Sequence, residues 1–123
     1  MSDIPSEREQ SRAEQIVRLG QLSMRSQRDG DVHTVAVGGE MDIANAAKVE
    51  QELIRVEATD AGAIVLDLSG LAFIDSTGIR MLLMADARSR TDGDRLVLRR
   101  PPDAVQRVLR LAGVDHRLQF ADG

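Results

Sequence analysis

The sequence predicts a single α/β domain, a mixed β-sheet with α-helices in the order ββαβαβα(β), and three observations carry that expectation. Two alternating segments, "QLSMRSQ" and "DVHTVAVG", are joined by "RDGD"; apolar residues then recur at three- and four-residue steps from Ala46 to Val56; and "AIVLDL" follows as a nearly continuous apolar run. A period of two, then one near 3.6, then a short β-branched run is the pattern of strands exchanging with helices around one sheet. With 123 residues and 42% hydrophobic content, the chain fills one domain with its own core but not two.

Taken in order, residues 1–20 mix charge with few apolar positions and read as a tail or a short helix carrying Ile16, Val17 and Leu19 inward; the domain proper is expected over 21–123. Asp29-Gly30 supplies residues that tolerate positive φ, so the two alternating segments become an antiparallel hairpin. From Asp42 the period changes: Ala46, Val49, Leu53 and Val56 form one face of an amphipathic helix, with Asp42 or Asn45 as its cap. The run "AIVLDL" suits a strand covered on both faces with a parallel neighbour. The segment "TGIRMLLMADARSR" is a helix stopped by "TDGD", and "RLVLR" is a short strand. "PPDAVQRVLRLAGV" is a helix with proline at its start, Asp103 in its first turn and Gly113 at its end, and "HRLQF" reads as a last short strand.

Composition removes several function classes. Twenty acidic against sixteen basic residues give a formal net charge of -4, the wrong sign for gathering phosphates along nucleic acid. Aromatic residues are 2%, Phe73 and Phe120 alone, so recognition by stacking a base or sugar ring is not expected. Cysteine is absent, which leaves zinc only His33, His116 and carboxylates, and no cofactor or metal is called for. No run approaches the ~18 apolar residues of a membrane span, and the N-terminal stretch lacks the apolar centre of a signal peptide. The expectation is a soluble, cytoplasmic protein. Lys48 is the single lysine, which points to a G+C-rich genome more than to a function.

The chemistry of the chain centres on residues 66–79, "LDLSGLAFIDSTGI", which place Ser76 between Asp75 and Thr77 at the mouth of a helix. Three readings compete. As a nucleophile, Ser76 lacks the first glycine of a G-x-S-x-G elbow, and neither histidine stands in a triad context, so an enzyme is not expected. As a helix cap, Ser76 or Asp75 would serve, because either side chain accepts from an otherwise unpaired amide of the first turn. As a phosphorylation site, Ser76 would gain about -1.5 to -2 charges, tolerated at a helix N-terminus but costly to a partner docked there.

The motifs "GGEMD", "IVLDLSGLAFIDSTGI" and "PPDAVQRVLRLAGV", spread over residues 22–120, resemble the STAS domain family, and particularly the bacterial anti-sigma factor antagonists. The middle motif is the most specific, since it joins a buried strand, a turn and an Asp-Ser-Ser/Thr-Gly helix start in that order. The resemblance implies a STAS fold and a regulatory phosphoprotein of the stress response. Unmodified, such an antagonist binds an anti-sigma factor serine kinase of the ATPase fold and so frees a sigma factor for transcription. Phosphorylation of the motif serine releases it, and a metal-dependent serine phosphatase reverses the mark. Carried over, Ser76 is the acceptor, Asp75, Thr77, Gly78 and Ile79 flank it at the docking surface, and Asp42 lies on the neighbouring loop. Arg80 stands where relatives often carry a small residue; four residues from Ser76, it is expected to set partner choice or to pair with phosphate. Met84 continues that face, with Met81 nearby, and flexible thioethers suit an adaptable surface as well as a core. The implied assembly is a monomer or weak homodimer without nucleic acid or membrane. Two alternatives stand beside it: a STAS subunit of a membrane lipid-transport ATPase complex, and a scaffold protein of a stress-sensing assembly.

Overall fold

A computed structural model describes residues 15–121. Strand β1 (Gln15–Leu19) leads into β2 (Leu22–Asp29) and β3 (Val32–Met41). Helix α1 (Ala46–Glu57) then precedes β4 (Ala63–Ile74), α2 (Ser76–Arg90) precedes β5 (Leu96–Arg99), and α3 (Asp103–Leu111) runs into a 3-10 turn (Asp115–Arg117). The five strands form one sheet in the order β1-β2-β3-β4-β5. Pairing is antiparallel between β1 and β2 and between β2 and β3, and parallel between β3 and β4 and between β4 and β5. The sheet is therefore mixed, as expected.

Alternation decides which face of the sheet is buried. Leu22 and Met24, Val35 and Val37, Ile64 and Leu66, and Leu96 and Leu98 all point into one core, where they meet Ala46, Val49, Leu53 and Val56 of α1. Those four helical positions are the face that the spacing in the sequence predicts. Helix α2 packs beside α1 and adds Met81, Leu82 and Ala85, and α3 adds Val105 and Leu109.

Three expectations need correction. Residues 15–19, read as tail or helix, form strand β1, an edge strand in register with β2 from Gln15↔Ser26 to Leu19↔Leu22. The rest of that reading, residues 1–14, lies outside the described residues. The segment "IVR" keeps Ile16 and Val17 at 58% and 38% exposure, so it buries too little to show a strand period on its own. Strand β4 is covered on one face, not both: Ile64, Leu66 and Leu68 are buried, whereas Ala63, Val65 and Asp67 are half-buried. Its apolar continuity hid one charge, and Asp67 on the less covered face pairs with Arg99 at 2.9 Å. Finally, "HRLQF" is not a strand. Gly113 at φ 74 ends α3, the 3-10 turn brings Val114 and Leu118 into the core, and only Phe120 bridges to Leu98.

The ends of β3 and β4 are irregular, and this shapes the site. Their register shifts between Ala36 and Gly38 and again between Gly39 and Glu40, the kind of bulge that re-aims a strand end. Gly39 has φ 91, and a Cβ there would run into the Gln21 carbonyl, so the β1–β2 turn packs directly on β3. The Glu40 amide donates to that same carbonyl at 2.9 Å.

Candidate functional site

The carboxyl ends of β3 and β4 lie side by side, with the Asp75 amide donating to the Met41 carbonyl at 3.1 Å. The loop after β3 and the start of α2 are thereby joined. Asn45 is the positional cap of α1, yet its side chain makes no capping bond. It is 1% exposed and braces the loop: its Oδ1 accepts from the Asp42 amide at 2.9 Å, and its Nδ2 donates to the Leu19 and Glu40 carbonyls at 3.1 and 3.0 Å. Asp42 accepts from the Ala44 amide at 2.9 Å, an Asx-type turn. Both residues proposed as caps of α1 thus organise the loop ahead of it.

At α2 the cap falls to Asp75. In extended conformation, it accepts the Gly78 amide on Oδ1 at 3.0 Å and the Ile43 amide on Oδ2 at 3.1 Å. Ser76 is consequently the first residue of the helix and not its cap. It is exposed, and its hydroxyl has no hydrogen-bond partner among the described residues. Of the three readings of Ser76, the cap is removed by this geometry.

The remaining expected site residues divide by burial. Ser76, Arg80 and Met84 line one exposed face of α2, with Met84 53% exposed and Arg80 without an ion pair among the described residues. Beside this face runs a groove of about 190 Å³ between Ala46, Ala47 and Glu50 of α1 and Thr77, Arg80 and Met84 of α2. Asp42, Asp75 and Thr77 are half-buried. Gly78 and Ile79 turn inward instead: Gly78 is buried, and Ile79 packs against the core. A Cβ at Gly78 would sit 2.7 Å from Ile74 Cγ1 and 3.1 Å from Met41 Cγ and Sδ, so the glycine is there for packing rather than as surface. Met81 likewise belongs to the core. One surface residue escaped the sequence reading, namely Ile43 in "GEMDIAN", 79% exposed and tied by its amide to Asp75. Its only signal was an aliphatic residue placed in a polar loop.

A second polar cluster lies at the amino end of the parallel strands. Ser26 donates to Glu52 Oε2, and having a single hydrogen it must accept from His33 Nε2 at 2.6 Å, which fixes the hydrogen on that nitrogen of the neutral ring. Burial lowers the His33 pKa, assisted by Arg55 and Arg28 and opposed by Glu52. The hydrogen bond from Arg55 holds the Glu52 carboxyl below its ordinary value, with Ser26 and His33 adding to that effect against burial. Burial pushes Asp67 up, but bonds from Ser69 and then Arg99 outweigh it and leave the carboxyl lowered. His33 is thus engaged structurally and is no base for Ser76.

Residues 24–120 match the family model of the Mlab STAS domain, and the chain belongs to the STAS domain family. Among its relatives, it is 37% identical over 51 residues to the anti-sigma-F factor antagonist RsfB of Mycobacterium tuberculosis, a match covering 42% of each chain. The fold is similar to an anti-sigma factor antagonist from Mycobacterium paratuberculosis, at a TM-score of 0.70 and 25% identity over 83% of this chain and 86% of that one. It is also similar to the phosphorylated Bacillus cell fate determinant SpoIIAA, at a TM-score of 0.57 and 17% identity over 89% and 92% of the two chains, a likeness of fold alone. Strand β1 lies ahead of the matched residues. No helix among the described residues is long and apolar enough to cross a membrane.

Proposed function

We propose that this protein is an anti-sigma factor antagonist that binds an anti-sigma factor serine kinase while Ser76 is unmodified and is released when the kinase phosphorylates it. The observation that carries the reading is the free Ser76 hydroxyl at the first position of α2, with Asp75 taking the cap. A serine used as a cap would have to surrender a helix amide before reacting; this one surrenders nothing. The antagonist relatives support the partner class.

The switch works on the docked surface and needs no refolding. Phosphate on Ser76 adds about -1.5 to -2 charges beside the Asp75 carboxylate. Burying such a charge without a partner costs roughly 2 to 5 kcal/mol, which is tens- to thousands-fold in affinity. Ser76, Thr77, Arg80 and Met84 supply the contact face, and Asp42 and Asp75 hold its edges. Gly78 and Ile79 shape it from beneath. Arg80 is the local cation that meets the phosphate once the partner leaves, before a serine phosphatase removes the mark.

The test is a pull-down from the source cell's lysate with wild type and Ser76→Asp, reading partners and Ser76 phosphate by mass spectrometry. A serine kinase captured by wild type and lost with aspartate supports the switch. Transport-ATPase subunits retained by both would replace this reading with that of a transporter subunit.

A further inference from the structure

Asp75 is a double acceptor shared between two elements. Its Oδ1 holds the first turn of α2 through Gly78, and its Oδ2 holds the loop after β3 through Ile43. Ile43 is the most exposed large aliphatic side chain among the described residues, at 79%, and the bond to its own amide ties it to Asp75, the residue before Ser76. The other braces of the loop do not reach Ile43: Asn45 holds Asp42, and Asp42 holds Ala44.

We infer that Asp75 is a positioning residue that transmits the charge state of Ser76 to Ile43, so that modification withdraws an apolar anchor from the docking face as well as adding charge to it. This rests on the reading of Ser76 as a modified residue. A dianion on the neighbouring residue repels the Asp75 carboxylate and competes for the amides it holds. The two bonds of Asp75 are unequal under that pressure. The Gly78 bond belongs to a helix turn packed on Met41 and Ile74, whereas the Ile43 bond is exposed and joins a loop. The Ile43 bond therefore yields first, and Ile43 is loosened while Asp42 and Ala44 on either side of it stay braced. In the unmodified state, the same bond holds the backbone that carries this exposed aliphatic side chain, which lowers the cost of ordering it against a partner.

The experiment is backbone amide exchange read by NMR on the isolated chain, which needs no partner and so stands or falls apart from the proposed function. In Ser76→Asp, the Ile43 amide is expected to exchange about tenfold faster than in wild type, the scale of a local opening. The Ala44 amide, held by Asp42 in the same loop, keeps its rate. Asp75→Asn has one carbonyl oxygen for two amides, so Ile43 exchange rises there too, and adding Ser76→Asp to it changes little. An Ile43 rate indifferent to Ser76→Asp overturns the inference. So does a double variant in which the two effects add in full, since Asp75 would then not be the route.

Discussion

Ser26 and Ser76 are one residue type in opposite situations at opposite ends of the parallel strands. Ser26 is 4% exposed and its hydroxyl is bonded to both His33 and Glu52. Ser76 is exposed and its hydroxyl is bonded to no described residue, because Asp75 has taken the helix amide that a capping serine would use. Ser26 has an imidazole and a carboxylate but is buried from any substrate, whereas Ser76 is accessible and bonds to no base among the described residues. The difference teaches that the role of a serine here follows from which neighbour claims its hydrogen bonds.

The largest effect that would break this contrast is on binding. Ser76→Asp is expected to lose tens- to thousands-fold in affinity for the captured kinase, roughly 2 to 5 kcal/mol, measured by titration calorimetry. Ser76→Ala should bind as wild type but take no label from the kinase. Next comes stability. Ser26→Ala leaves a buried imidazole N–H without its acceptor and should cost about 1 to 3 kcal/mol in urea unfolding, with kinase affinity unchanged. Equal loss of binding in that variant would erase the distinction between the two ends. Gly78→Ala, which forces a Cβ against Ile74 and Met41, should cost about 1 to 3 kcal/mol as well.

The buried cluster also sets a pH dependence. His33 has a folded pKa below its ordinary 6.5, so in acid the unfolded chain takes up its proton first. Between 6.5 and the lower folded value, stability rises with pH, and it falls as pH drops through that window. Glu52, lowered from 4.5, contributes stability that is present above that value and lost below it, which adds in the same direction at lower pH. Unfolding midpoints from pH 7.5 downward should decline for wild type and decline less for His33→Gln above pH 5. A flat wild-type profile would count against the buried neutral ring. The smallest effect is that of Arg80→Ala, expected to change kinase affinity or dephosphorylation rate by about two- to fivefold, as befits an exposed charge; both unchanged would make Arg80 a solvated surface arginine.

Much of this was legible before the structure. The face of α1 formed by Ala46, Val49, Leu53 and Val56 and the hairpin around Gly30, at φ 62, follow from period and backbone chemistry over a few residues. The same holds for the proline-to-glycine limits of α3. Ser76 was found because a strand, a turn and a helix start coincide in one short motif. Strand β1 was not, since an edge strand takes its identity from its partner β2 and buries too little to reveal a period. Nor was the inward turn of Gly78 and Ile79, which depends on where Met41 of another strand sits.

The sequence by itself determined the order of elements, the apolar faces and the serine at the start of α2, because these rest on periodicity, turn residues and local motif chemistry. Only the tertiary structure decided that Asp75 and not Ser76 is the cap, that Asn45 braces a loop instead of capping α1, and that the Ile43 amide is tied to Asp75, the residue before Ser76. The bond from Ile43 to Asp75 joins residues that the pairing of β3 with β4 brings together, and Asn45 reaches the Leu19 carbonyl 26 positions away. A donor 32 positions away in the chain leaves no periodic trace for a sequence to show.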